Sequence, residues 1–323
     1  MLVMPALRWR RVPAGADVAY CDVACGQFPD GTAVAVCVEI DGWLDVWDLA
    51  TGQHEGRLTD PRMPPRQSPK IACATLKDGT PVAVTAGDDG VLRVWELLTG
   101  ERRGEAQTGK VCALAVADDP PVAVTSSPGG VIRFWDVATT EPYGQKVQCD
   151  DPLAPVAVDD SHVVIIGDGS ALRVFDLREG RLRGTRCNTD FDVHRLACLR
   201  LVDGTVLAVT GSDRQRDDER ARRFGTVQAW DLATGRRYGP PLTGHGGEIN
   251  ALAATQLPDG TPVAVSVDRY GAVRAGNLAT GQAHGPPLPR LGPGEAPVLA
   301  CTRLADGTPV LVTANEDVQV WTV

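Results

Sequence analysis

The residues of this chain that could do chemistry are nine cysteines, five histidines and one arginine-rich segment. Cys25, Cys73, Cys198 and Cys301 stand at the same place in four copies of a repeated pattern. Converging thiolates hold zinc at about 2.3 Å. Equivalent positions on adjacent units of a closed ring stand too far apart to share one metal. The four are therefore expected to be small hydrophobes where units crowd. Cys21, four residues from Cys25 and without a nearby His, reads the same way. The odd number of cysteines and the lack of a C-x-x-C pair argue against a disulfide framework and for a reducing compartment. No metal or other cofactor is expected.

His54, His162, His194, His245 and His284 are scattered singly. His54 and His284 fall in or near expected outer strands and read as solvated. No Ser-His-Asp, H-E-x-x-H, phosphate-loop or dinucleotide spacing is found. Most Asp and Glu lie in turns, where Asp bonds local backbone. The expectation is a protein without catalytic activity.

The cationic residues are more suggestive. Ser212 to Gly225 carries Arg214, Arg216, Arg220, Arg222 and Arg223 beside four acidic residues. A second insertion, Thr59 to Lys70, is rich in Pro, and so extended and stiff. Lys70, Lys110 and Arg195 each precede an apolar run at what the spacing makes equivalent positions, whereas Asp22 holds that place in the first copy. Guanidinium groups in such a lip could read a carboxylate or phosphate. These eight cations are the candidate partner-binding set. The competing reading is a solvated loop, tolerated because long loops cost little stability.

The elements that must position these residues repeat along the chain. Val91-Leu-Arg-Val-Trp-Glu-Leu-Leu-Thr-Gly100 is one cleanly patterned copy. Its aromatic recurs as Trp47, Trp95, Trp135, Phe175, Trp230, Gly276 (where it is lost) and Trp321, 40 to 55 residues apart. Each copy reads as an apolar run, a turn (Asp-Gly-Thr in five of the seven), a β-branched strand, a tight turn, the marker strand and a weaker fourth strand. Asp-Gly between apolar runs is a strong hairpin signal, and Leu92/Val94 alternating with Arg93/Trp95 fits a strand. Four short strands in each of seven units, with no helical period, predict an all-β, seven-bladed β-propeller of four-stranded antiparallel blades. Residues 1–323 form one domain on this reading. The last copy ends one strand short, so the stretch from about Met4 to Val12 is predicted to pair with it and close the ring.

The totals agree. At 323 residues the chain is long for one ordinary core, but a ring of units packing on their neighbours can be that long. A net charge of −9 argues against nucleic acid as the main partner. No apolar run reaches membrane-helix length, and apolar residues precede Arg8, Arg10 and Arg11, the wrong order for a signal peptide. A soluble, cytoplasmic monomer is expected. Only four of the 32 Lys and Arg residues are Lys, which suggests a GC-rich bacterial genome.

Trp47-Asp48, Trp135-Asp136 and Trp230-Asp231, with the near matches Trp95-Glu96 and Phe175-Asp176, resemble the WD40 repeat family. The resemblance covers essentially the whole chain and implies a propeller that binds protein or peptide partners through one face at the channel mouth. An anionic metabolite bound or transformed at that mouth is the alternative. The family's blades often carry a network of His, Ser/Thr, Asp and the marker Trp. By that pattern Trp47, Trp95, Trp135, Phe175, Trp230, Trp321, Thr85, Asp89 and His245 are structural. No blade has the full set. Cys37 replaces the hydroxyl in blade one, Gly129 replaces the Asp in blade three, and Gly244-His245 lies in the blade that lost its Trp. Apolar packing is therefore expected to outweigh buried polar networks.

Overall fold

The computed structural model describes residues 9–12, 19–58, 69–149, 156–159, 163–167, 170–177, 179–189, 192–214, 224–285, 290–291, 298–314 and 318–322. Strand β1 (Trp9–Val12) precedes the first blade. Blade one contains β2 (Tyr20–Gln27), β3 (Ala33–Glu39), β4 (Leu44–Asp48) and β5 (His54–Leu58). Blade two contains β6 (Lys70–Thr75), β7 (Pro81–Ala86), β8 (Val91–Glu96) and β9 (Arg102–Gln107). Blade three contains β10 (Ala113–Asp118), β11 (Pro121–Ser127), β12 (Val131–Asp136) and β13 (Val147–Gln148). Blade four contains β14 (Val156–Asp159), β15 (Val163–Gly167), β16 (Ala171–Asp176) and β17 (Arg181–Asn188). Blade five contains β18 (Arg195–Arg200), β19 (Val206–Arg214), β20 (Phe224–Asp231) and β21 (Arg236–Leu242). Blade six contains β22 (Ile249–Gln256), β23 (Pro262–Asp268) and β24 (Val273–Asn277). Blade seven contains β25 (Val298–Arg303), β26 (Pro309–Ala314) and β27 (Val318–Thr322).

These sheets make a seven-bladed β-propeller, six of them four-stranded and blade six three-stranded among the described residues. Blade seven reaches four strands because β1 pairs antiparallel with β27, Trp9 opposite Trp321 and Val12 opposite Val318. The predicted closure strand is thus present over residues 9–12, while residues 4–8 of that stretch lie outside the described residues. Among the described residues no helix is long and apolar enough to cross a membrane.

Turn chemistry follows the repeat. In the first hairpin of blade two, Asp78 accepts the Thr80 N–H at 2.9 Å and Gly79 takes φ +85°. Asp48, Asp136 and Asp231, each just after a marker Trp, accept two N–H groups from the turn that follows, and Asn277 does the same after Gly276. This explains why Asp or Asn stands there in these blades, whereas Glu96 and Thr322 hold the position in blades two and seven.

The core lies between blades. Each marker aromatic packs on the preceding blade: Trp95 with Val34, Val36 and Val46 of blade one, Trp135 with Val82, Val84 and Leu92 of blade two. Trp47 closes against Val310 and Val312 of blade seven. One sheet cannot cover both faces alone; stacking does so, and each buried Val contributes roughly 1.5–3 kcal/mol.

Candidate functional site

Lys70 and Arg195, two of the predicted cations, begin inner strands at one end of the propeller, the axial mouth. Inner strands start at this end, and so do the turns that join second to third strands: Lys70 pairs Ala86, Tyr20 pairs Glu39, and Ile249 pairs Asp268. Neighbouring inner strands run side by side from here. Asp22 Oδ2 accepts the Ile71 N–H at 3.0 Å, and Arg195 Nε donates to the Asn250 carbonyl. Burial raises the pKa of Asp22, while Lys70, the Ile71 and Val23 N–H groups and Arg195 pull it down. Blades one and five therefore sense each other across the opening. Arg195 in turn senses Glu248 as well as Asp22. Three inner strands thus bring charges of both signs to this end: Asp22, Lys70 and Arg195.

Lys70 and Arg195 share one register level with Asp22, but blade three places Ala113 there, opposite Ser126. Lys110 lies three residues earlier and pairs with Asp88 at 3.2 Å. The spacing misled because Thr108 folds back to donate to the Gly90 carbonyl and Val111 to that of Gly87, delaying the strand. Arg214 ends β19 opposite Phe224, so the arginine-rich insertion begins as an extension of the β19–β20 ladder rather than as a loop from Ser212. Gly225 packs this hairpin on blade six: a Cβ there would come 2.4 Å from the Gly247 carbonyl, so only glycine fits. Arg216, Arg220, Arg222 and Arg223 lie outside the described residues, as do 59–68 of the Pro-rich insertion.

Two exposed aromatics were not singled out by the repeat pattern. Trp43 (38% exposed) and Tyr270 (58%) sit in the β3–β4 and β23–β24 turns, on the mouth face. The Arg57 guanidinium lies 4.6 Å from the Trp43 ring centroid, and that of Arg269 lies 5.5 Å from Tyr270. The other exposed large apolar side chains among the described residues, Leu98 and Val202, occupy turns at the opposite end.

The cysteine ring is positioned by the marker strands. Cys25 pairs with Ala35, which pairs with Trp47; Cys73, Cys198 and Cys301 have the same relation to Trp95, Trp230 and Trp321. Val116, Val158 and Ala254 hold this level in the remaining blades. Burial, then the neighbouring Cys73 and Cys301, pushes the Cys25 thiol well up, and burial pushes Cys301 up to about 12. A metal ligand or nucleophile needs the opposite shift. Among the described residues no three His, Cys, Asp or Glu side chains converge to hold a metal.

The structural residues divide the blades into types. Trp95 Nε1 donates to Thr85 Oγ1 at 3.0 Å, and Trp135–Thr125, Trp230–Thr210 and Trp321–Thr313 repeat the bond at 2.9, 3.1 and 3.2 Å. This two-member core of the network survives in four blades, more than the missing His and Asp partners suggested. Asp89 accepts from Arg93 at 2.6 Å and from the Val91 N–H. Blade four lacks both halves together: Ile166 stands where Thr is expected, and Phe175 stacks on Phe134 with centroids 4.5 Å apart. Blade one keeps the indole but has Cys37 at the hydroxyl position.

Blade six keeps the hydroxyl and loses the indole. His245 Nε2 is 2.7 Å from Ser266 Oγ, and its Nδ1 lies 3.3 Å from Asp268 Oδ2. Desolvation lowers the His245 pKa, against the pull of Asp268, so the ring is held neutral. Asp268 also accepts the N–H groups of Gly246, Tyr270 and Ala272. These bonds outweigh burial and lower its pKa. Asp268 thus ties the β23–β24 turn to the β22 approach, which is structural work. Beside this group, where other blades hold the marker ring, is a cavity of about 340 Å³. Scanned against protein-family models the chain matches none, and no curated protein matches it.

Proposed function

We propose that this protein is a non-catalytic interaction module, a divergent propeller of the WD40 kind, that binds a partner protein on the face surrounding the axial mouth. The observation that carries this reading is the pairing of exposed aromatics with guanidinium groups, Trp43 with Arg57 and Tyr270 with Arg269, which among the described residues occurs on that face only. Trp, Tyr and Arg dominate the energetic centres of protein interfaces because they offer large, rigid area with a polar edge. Seven marker positions and four repeated Trp–Thr bonds support the family assignment. Asp22 between Lys70 and Arg195 favours a mixed-charge protein surface over a small anion.

The test is photo-crosslinking in source cells, with a photoreactive aromatic amino acid placed in turn at positions 43, 270, 98 and 202. Adducts with the same protein from 43 and 270, and not from 98 or 202, support the reading. Adducts confined to 98 and 202 would place the interface on the other face, and none at any site would remove the scaffold role.

A further inference from the structure

The blade-five/blade-six interface is built unlike the other six. Each of those receives an aromatic ring from the following blade; here Gly276 brings none. Leu242 leans into part of the space, so that a Cβ on Gly276 would lie 2.5 Å from it. The space left is about 340 Å³, within the roughly 300–1,000 Å³ of small-molecule sites. Exposed Arg274 and Arg290 line it, so it opens to solvent.

The polar groups around it are specific. Ser266 stands opposite Arg274, the register position that Thr85 holds opposite Arg93. His245 Nδ1 lies 3.3 Å from the Asp268 carboxylate without a well-formed hydrogen bond, and we assign the tautomer that turns its proton there; Nε2 is then an acceptor, and the Ser266 hydroxyl donates to it. The Ser266 oxygen retains lone pairs that in four other blades take an indole N–H. Arg274 is also unlike its counterpart. Arg93 is ion-paired with Asp89, four residues beyond Thr85; four residues beyond Ser266 is Tyr270. Among the described residues Arg274 has no carboxylate, and no Asp or Glu lines the cavity, whereas His284 and Arg290 do. The site therefore presents an acceptor at the apolar end, beside Leu242 and Gly276, and cationic groups at the opening.

We propose that this cavity is a ligand site for a small planar aromatic carboxylate: its ring takes the place of the missing indole and donates a ring N–H to Ser266 Oγ, and its carboxylate pairs with Arg274. The site is independent of the mouth face.

The experiment titrates the full chain with indole-3-acetate, read by calorimetry and by the ring resonances of His245 and His284. The expected result is saturable one-site binding that shifts both histidines, with indole alone or acetate alone at least about tenfold weaker. Arg274→Gln weakens indole-3-acetate at least about tenfold, the lower bound for one charged hydrogen bond. Gly276→Trp with Leu242→Ala refills the space, copying the Ala106 and Trp135 pair of blades two and three, and abolishes binding while the far-ultraviolet spectrum stays that of the wild type. If that double variant does not fold, Ser266→Ala and Arg274→Gln decide, and unchanged affinity in both overturns the proposal. Lack of saturation by low-millimolar indole-3-acetate, or full binding by a folded double variant, also overturns it.

Discussion

Blades one and six each keep half of the pair that Trp95 and Thr85 make, and they keep opposite halves. Blade one has the ring without the hydroxyl: Trp47 is buried and Cys37 faces it. Its polar groups gather instead on β2, β4 and β5, with Tyr20 and Asp45 buried. The Tyr20 hydroxyl donates to Asp45 at 2.8 Å, His54 Nε2 is 2.9 Å from the same carboxylate, and Arg57 bonds Glu39. Blade six has the hydroxyl without the ring, and its polar groups stay inside as His245, Ser266 and Asp268. The position opposite the lost or kept hydroxyl is Asp45 in one and Arg274 in the other, buried acid against exposed base. Ring and network are thus separable. Losing the hydroxyl leaves a closed blade with a displaced network, whereas losing the ring leaves a closed network with a cavity.

The largest effect tests which half carries the stability. Trp47→Ala removes the ring from blade one and is expected to cost about 3–5 kcal/mol, measured as a drop in the thermal midpoint and in the urea midpoint. A loss below about 1 kcal/mol would mean that the displaced polar cluster, not the indole, joins blade one to blade seven. The converse change, Gly276→Trp with Leu242→Ala, is expected to stabilise by about 1–3 kcal/mol, because it buries a ring in existing space. No gain would show that Leu242 already closes this interface as well as an aromatic does.

Acid and base should separate the two blades next. His245 is held neutral, with a folded pKa below its ordinary 6.5. The unfolded chain then binds more protons, so blade six loses stability as pH falls below about 6.5. Glu39 behaves oppositely. Burial, against Arg57 and reinforced by Asp45, pushes its carboxyl from 4.5 up to about 7. The folded chain binds more protons there, so blade one loses stability as pH rises from about 4.5 through 7. In thermal melts between pH 5 and 8, His245→Asn should flatten the acid side of the profile and Glu39→Gln the alkaline side. Matching profiles for both variants would remove the distinction.

The propeller was legible because its signal is periodic: seven markers and five Asp-Gly-Thr turns state the same instruction repeatedly. The closing strand followed from a blade one strand short, and Trp9 does pair Trp321. The displaced cluster was not legible. Tyr20, Asp45 and His54 lie on three strands, and only cross-strand pairing unites them; His54 is exposed, as its sequence reading had it, and also meets Asp45. In blade six the acid is Asp268, two residues after the hydroxyl rather than four, and a fixed-spacing search for it looks at Tyr270. Trp43 and Tyr270 lie in turns, where the repeat pattern makes no demand and so gives no signal.

The smallest effect bears on the comparison most directly. Cys37 is fully buried opposite Asp45, the register position of Thr85 opposite Arg93. Trp47 Nε1 is buried and makes no well-formed hydrogen bond among the described residues; the Tyr20 hydroxyl, whose proton goes to Asp45, lies near it but outside that geometry. A buried donor without a partner costs about 1–3 kcal/mol, and a hydrogen bond that satisfies it returns about 0.5–1.5 kcal/mol net. Thr is close to Cys in size, so Cys37→Thr supplies the acceptor with little repacking. The expected gain is about 0.5–1.5 kcal/mol, seen as a higher thermal midpoint and a downfield shift of the Trp47 indole proton. Paired with Trp47→Phe, which removes the donor, the gain should vanish and turn into a loss, since the new hydroxyl is then buried alone. If Cys37→Thr stabilises equally in both backgrounds, the benefit is packing, and the indole of blade one does not lack the partner that its counterparts in four other blades have.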